Sequence, residues 1–223
     1  MKKLTLFCGI GLFGLSALSA SAATLISNLG QGTGIVGNFL NTSYAYATDF
    51  TTDASSAWMV TGATFKMGNG DNIAHTFTAS IFDDNAGVPG SLIGSFNFSI
   101  PAGFTSYSDA STSFAGITLL ANHTYWQVLQ MNEAIGIGSA PQWAGNTSEN
   151  TDAGSVFTTV PSTALKNSTN GGATYSDVLF FGSPLHGNYD FALSGSSVPE
   201  PSSGMLLAVA ASSALGLWRR RGG

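Results

Sequence analysis

Thiols and positive charge are what this sequence has least of. Its single cysteine, Cys8, falls in the N-terminal segment. A chain that loses that segment has no thiol, which excludes disulfides, cysteine-based zinc sites and a cysteine nucleophile. Lipid attachment at Cys8 is disfavoured as well, because Thr5-Leu6-Phe7 replace the small-residue box it needs and the apolar run continues past it. Arginine is confined to Arg219, Arg220 and Arg221, and only Lys66 and Lys166 lie between Lys3 and that triplet. Two cations against twelve acids leave the intervening stretch at −10. Nucleic acid is excluded as a partner, since phosphate contacts need Lys and Arg to displace counterions. Capped helical periodicity is missing outside the two termini, and no internal repeat recurs at a fixed period. Catalytic signatures are missing too. His75, His123 and His186 are far apart, without an HExxH or a close pair, and no serine sits in a G-x-S-x-G elbow. Glu133 follows an apolar run and Glu149 lies in a polar one, yet nothing in the sequence pairs them as a glycosidase would require. The chain is expected not to be an enzyme.

The ends carry the clearest signals. Lys2-Lys3, the apolar run Leu4 to Leu18 and the small-residue site at Ala20 and Ala22 have the three-part form of a secretory signal peptide. Cleavage is expected after Ala22, with one residue later as the alternative, so that residues 1–22 are removed. At the other end, residues 196–203 form a linker whose Pro199-Glu200-Pro201 holds the backbone extended and accessible. Residues 204–218 follow as an expected hydrophobic helix of 15 residues. At 1.5 Å per residue it spans roughly 22 Å, short of a hydrocarbon core of about 30 Å. Arg219, Arg220 and Arg221 in the tail 219–223 orient it with the tail cytoplasmic and the domain outside.

Residues 23–195 are expected to form one extracellular domain, large enough for a real core. Short alternating runs recur at residues 57–67, 75–82, 92–100, 114–120, 124–131, 175–181 and 189–193, as strands need when one face is buried and the other is wet. Turn clusters separate them, among them Gly68 to Asp71, Asp83 to Gly90, Pro101 to Gly103 and Asn170 to Gly172. The expected fold is all-β, an antiparallel β-sandwich of the jelly-roll kind with eight to ten strands. Gln142 to Ser155, polar and rich in Asn and Thr, is expected to be a long loop.

Val198-Pro199-Glu200-Pro201, the apolar run to Trp218 and the Arg219-Arg220-Arg221 cluster, in that order at the end of a chain with a signal peptide, resemble the PEP-CTERM family of exported bacterial proteins. The resemblance covers about a tenth of the chain. It implies recognition by a membrane-embedded exosortase, which cuts near Pro199-Glu200-Pro201 and passes the domain to the cell surface or its exopolysaccharide matrix. The middle of the chain also resembles the choice-of-anchor extracellular domains, type R, through Phe50-Thr51-Thr52, Gly87-Val88-Pro89-Gly90 and the stretch Leu120 to Trp126. That likeness implies a sandwich and no activity.

Two places in the middle have binding potential. Asp83, Asp84 and Asn85, followed by Gly87, offer clustered oxygens for Ca²⁺; the same residues are what a hairpin turn selects. Among the aromatics, Trp58 and Trp126 are expected in the core, whereas Trp143 in its polar stretch is either exposed and available to stack on a sugar ring or a loop residue tucked onto the sandwich rim. The overall expectation is an exported, cofactor-free surface or matrix protein, structural or adhesive in the exopolysaccharide layer. Signal peptidase and exosortase are its partners in transit, and it touches the membrane only through the C-terminal helix. A carbohydrate-binding module and a permanently anchored surface protein are the alternatives, with a glycoside hydrolase behind both.

Overall fold

The computed structural model describes residues 22–31, 35–69, 71, 73–102, 106–135, 140–147, 150–160, 164–181 and 183–198. The expected signal peptide up to residue 21, Glu149, Pro199-Glu200-Pro201, the expected helix 204–218 and Arg219 to Arg221 lie outside the described residues. Within them every regular element is a strand. In chain order these are β1 (Ala23–Ser27), β2 (Ile35–Phe39), β3 (Ala45–Thr51), β4 (Trp58–Gly68), β5 (His75–Asp84), β6 (Pro89–Ile100), β7 (Ser108–Leu119) and β8 (Thr124–Met131). They continue with β9 (Gln142–Asn146), β10 (Thr158–Thr159), β11 (Lys166–Ser168), β12 (Ser176–Asp177), β13 (Leu179–Phe180), β14 (Ser183–Pro184), β15 (Asn188–Tyr189) and β16 (Phe191–Ser197).

These strands build two antiparallel sheets and a small hairpin of β13 and β14. In the first sheet β16 lies between β1 and β4, and β7 also pairs with β4. β9 continues the sheet beyond Met67 and carries β2 and β15. The second sheet runs β12-β11-β3-β8-β5-β6, with β10 also on β3. With β1, β3 to β8 and β16 numbered one to eight, the sheets read 1-8-3-6 and 2-7-4-5. Within that frame only β5 and β6 are joined as a hairpin; every other step crosses from one sheet to the other.

The alternation that marks the strands in the sequence also fills the space between the sheets. β5 directs His75, Phe77, Ala79 and Ile81 inward, and β6 does the same with Phe96, Phe98 and Ile100. A chain of rings crosses the core. Phe77 stacks on Phe98 at 5.2 Å, Phe98 on Phe65 at 4.8 Å, Phe65 meets Trp143 edge-on at 5.8 Å, and Trp143 stacks on Tyr189 at 4.5 Å. Such pairs add to the burial energy of their large apolar surfaces. A second, smaller cluster of Ala45, Ala47, Trp126 and Val128 lies on the opposite face of the second sheet, against Phe82 and Tyr175. Trp126 is thus buried as expected, but outside the main core.

Two expectations are corrected. The stretch 142–155 is not one loop, because Gln142–Asn146 is strand β9 inside the first sheet. The run 175–181 is not one strand; it breaks into β12 and β13 around Val178, whose N–H is taken by Leu165 O.

Candidate functional site

The two ends of the described chain leave the molecule together. Ala22 is exposed and Ala23 opens β1, opposite Gly195 in β16. β16 pairs along its other edge with β4 as far as Ser197 opposite Trp58, and Val198 N–H then donates to Ala57 O at 2.8 Å. The expected signal-peptide cut and the Pro-Glu-Pro linker therefore adjoin neighbouring strands at one end of one sheet. Gly195 makes this packing possible, since a Cβ there would overlap Met59 O.

Asp83, Asp84 and Asn85 form a hairpin turn whose polar groups are engaged by the protein. Asp84 Oδ1 accepts from Trp126 Nε1 at 2.7 Å and from Gly87 N–H at 3.1 Å, while Asn85 N–H donates to Val88 O at 2.9 Å. Asp83 Oδ1 lies 2.5 Å from His123 Nε2, a pairing across 40 residues that spacing does not reveal. Ala86 and Gly87 take positive φ at the tip, where glycine is favoured. Among the described residues no three His, Cys, Asp or Glu side chains are grouped as metal ligands.

Trp143 is the main correction to the expected site. Its exposure is 0%, so it is not a free stacking platform. Its indole Nε1 donates to Asp190 O at 3.0 Å. The polar letters around it misled because they too are structural. Gln142 Oε1 accepts from Tyr107 O–H at 2.6 Å, and Asn146 Nδ2 donates to Asp190 Oδ1. Neighbouring buried amides complete this polar seam. Asn28 Nδ2 donates to Tyr189 O at 2.9 Å and its Oδ1 accepts Phe191 N–H at 2.7 Å, while Thr48 O–H donates to Asn188 Oδ1 at 3.1 Å. Asp190 is fully buried, and burial pushes its carboxyl up to about 6 against the opposing pull of Asn146 and Lys66. Among the described residues Asp190 Oδ2 and Asn146 Oδ1 have no hydrogen-bond partner.

Among the described residues, His75 is grouped with two acids, Asp71, four residues before it, and Glu133, 58 residues after it. His75 is 2% exposed, with Nε2 at 2.9 Å from Asp71 Oδ1 and Nδ1 at 3.0 Å from Glu133 Oε2. Burial works against the His75 charge, but the hydrogen bonds it donates to Asp71 and Glu133 and their negative charges outweigh it and raise the imidazole. Glu133 is held low by the His75 bond first and by Thr76 second. The imidazole stands between the two carboxylates, so the acids do not face each other across an open space. The arrangement is an ion clamp that ties the β4–β5 loop and the end of β8 to the start of β5.

Beside this clamp a shallow cleft of about 400 Å³ opens, lined by Thr76, Asn97, Phe98, Ser99, Ser111 and Thr112. Glu133 Oε1 fixes Thr76 from behind, accepting its N–H at 3.1 Å and its hydroxyl at 2.8 Å. The lining comes from β5, β6 and β7, and sequence reading singled out none of these residues. Their signal is faint: single Ser, Thr and Asn letters on the wet side of strands. β6 ends its sheet, and β7 pairs with β4 alone, so the cleft lies between two edge strands. No curated protein matches this chain. Residues 197–221, beginning at the last residue of β16, match the family model described as the PEP-CTERM protein-sorting motif.

Proposed function

We propose that this is an exported protein, sorted by an exosortase to the cell surface, whose non-catalytic sandwich domain is structural or adhesive in the exopolysaccharide layer. The observation that carries the reading is the sorting motif at residues 197–221, which starts where the last strand ends. No spacer domain intervenes, so cutting near Pro199-Glu200-Pro201 releases the domain with its sheet intact. Residues 1–22 act as the signal peptide, and residues 204–218 hold the chain in the bilayer until processing, with Arg219 to Arg221 on the cytoplasmic side. A 15-residue helix crosses only by thinning the bilayer or by snorkelling of its flanks, which suits a transient signal better than a permanent anchor.

The strand order 1-8-3-6 and 2-7-4-5 supports the jelly-roll reading of the sandwich and is in keeping with the choice-of-anchor likeness of the middle domain. For the Asp83–Asn85 turn the hairpin reading is favoured over Ca²⁺, because Asp83 and Asp84 already serve His123 and Trp126. The non-enzymatic reading is favoured by His75, which occupies the space between Asp71 and Glu133.

The test is the intact mass of the protein recovered from its native host, fraction by fraction. Loss of the first 22 residues and of everything beyond the Pro-Glu-Pro region, with recovery outside the membrane, is the expected result. Recovery in the membrane with Arg219 to Arg221 attached would make the C-terminal segment an anchor and end the exosortase reading.

A further inference from the structure

We propose that the cleft between β6 and β7 binds a segment of neutral polysaccharide. The proposal rests on the domain's placement in an exopolysaccharide layer and adds the site and the class of ligand. Its lining is the first reason. Thr76, Asn97, Ser99, Ser111 and Thr112 line it together with Phe98, with no charged side chain among them. Hydroxyl and amide groups both donate and accept, which matches the hydroxyls of a sugar chain. An acidic polymer finds no cation there, and the −10 of the chain between Lys3 and Arg219 repels it.

The second reason is that these groups are held in place before any ligand arrives. Glu133 fixes the Thr76 hydroxyl. Asn97 Oδ1 lies 2.9 Å from the Thr78 hydroxyl, which is also 2.8 Å from Asn132 Oδ1. The Ser111 and Thr64 hydroxyls are hydrogen-bonded to each other at 2.8 Å. Phe98 is 7% exposed and stacked between Phe65 and Phe77, so it offers no ring face, and the cleft recognises its ligand through hydroxyl and amide groups. Polar groups fixed in advance lose little freedom on binding.

Position is the third reason. Ser111 pairs with Thr64, six residues along β4 from Trp58, where β16 ends. At about 3.3 Å per residue the cleft is about 20 Å from the end where the termini leave. A domain tethered through its C-terminus therefore keeps the cleft open.

The test is affinity electrophoresis of the processed protein from its host in gels containing dextran, galactomannan or mixed-linkage β-glucan, with alginate as the acidic control. Retardation by at least one neutral polymer and none by alginate is expected. Asn97→Ala and, separately, Ser99→Asp should each weaken it at least ten-fold, with urea midpoints unchanged. Ser99 is exposed on an edge strand, so at least the second variant should fold. The proposal is overturned if none of the three neutral polymers retards the protein, if both folded variants bind as well as the parent, or if alginate binds best. Sedimentation as a dimer that Ser99→Asp dissociates would assign the cleft to a strand from a second copy instead. Binding is read on the purified domain whatever its C-terminus, so loss of binding leaves the sorting reading intact. An uncleaved chain that still binds dextran would sink sorting alone.

Discussion

At Asp190 a carboxyl group has lost all contact with water and keeps one bonded oxygen. A proton on Oδ2 turns an unpaired acceptor into a donor, which is the physical content of its rise to about 6. The native state then binds more protons than the unfolded chain between about pH 4 and 6, so stability falls as pH rises through that window. Asp190→Asn removes the buried charge. It should raise stability at pH 7.5 by an amount on the order of 2–3 kcal/mol and flatten that decline, as read from urea midpoints at a series of pH values. An unchanged profile would mean that Asp190 stays ionised. His75 has the same sign by a different cause. Its raised imidazole contributes stability in full below its unfolded value of 6.5, and that stability is lost as pH rises through the higher folded value. In His75→Gln the difference between midpoints at pH 6 and pH 9 should shrink; a difference as large as the parent's would show the clamp to be neutral. Trp143→Ala should cost about 3–5 kcal/mol, the usual penalty for emptying a large aromatic site. The loss would be seen in denaturant melts, with no selective effect on glycan retention. A stable Trp143→Ala that had lost only glycan binding would restore Trp143 as a ligand contact.

Among the elements, the strands that could be read from sequence are those with one dry face and one wet face. β5 alternates buried and exposed residues from His75 to Ile81, and its sequence run begins at the same residue. β8 was bounded at Thr124–Met131 in both readings. β9 was missed because Gln142 and Asn146 look like loop residues, whereas each is paired within the sheet or across it. The two-residue strands β10, β12, β13, β14 and β15 carry no periodicity at all, and only their neighbours make them strands. β16 matters most to the chain's traffic, since it lies between β1 and β4 and leads directly to the sorting motif. Gly195→Val places side-chain atoms where Met59 O already sits. It should cost about 2 kcal/mol or more, and it should loosen β1 along with the end of β16. Amide exchange at residues 192–198 would speed up first; uniform acceleration across the domain would instead mean that β16 opens only with global unfolding.

For the molecule as a whole, two sheets and almost continuous crossing between them bring distant letters together. The sorting motif at the C-terminus needs only linear order, since Pro-Glu-Pro, a short apolar run and an arginine cluster follow one another along the chain. The all-β character needs only local alternation, and the sequence supplied it. The candidate binding site needs neither of these but a particular pairing. Thr76, Asn97 and Ser111 come from three strands, and Glu133 behind them follows a fourth. No spacing rule links such residues, because β-sandwich contacts join positions by register between strands and not by distance along the chain. The sequence by itself thus determined the linear order of the C-terminal sorting motif, the strand-rich class and the scarcity of thiols and basic residues. Only the tertiary structure decided that Trp143 is core, that His75 separates two acids, that the two ends of the described chain lie at one end of one sheet and that a neutral cleft lies away from them. The physical reason is that burial and proximity are properties of packed sheets, which the order of residues constrains but does not display.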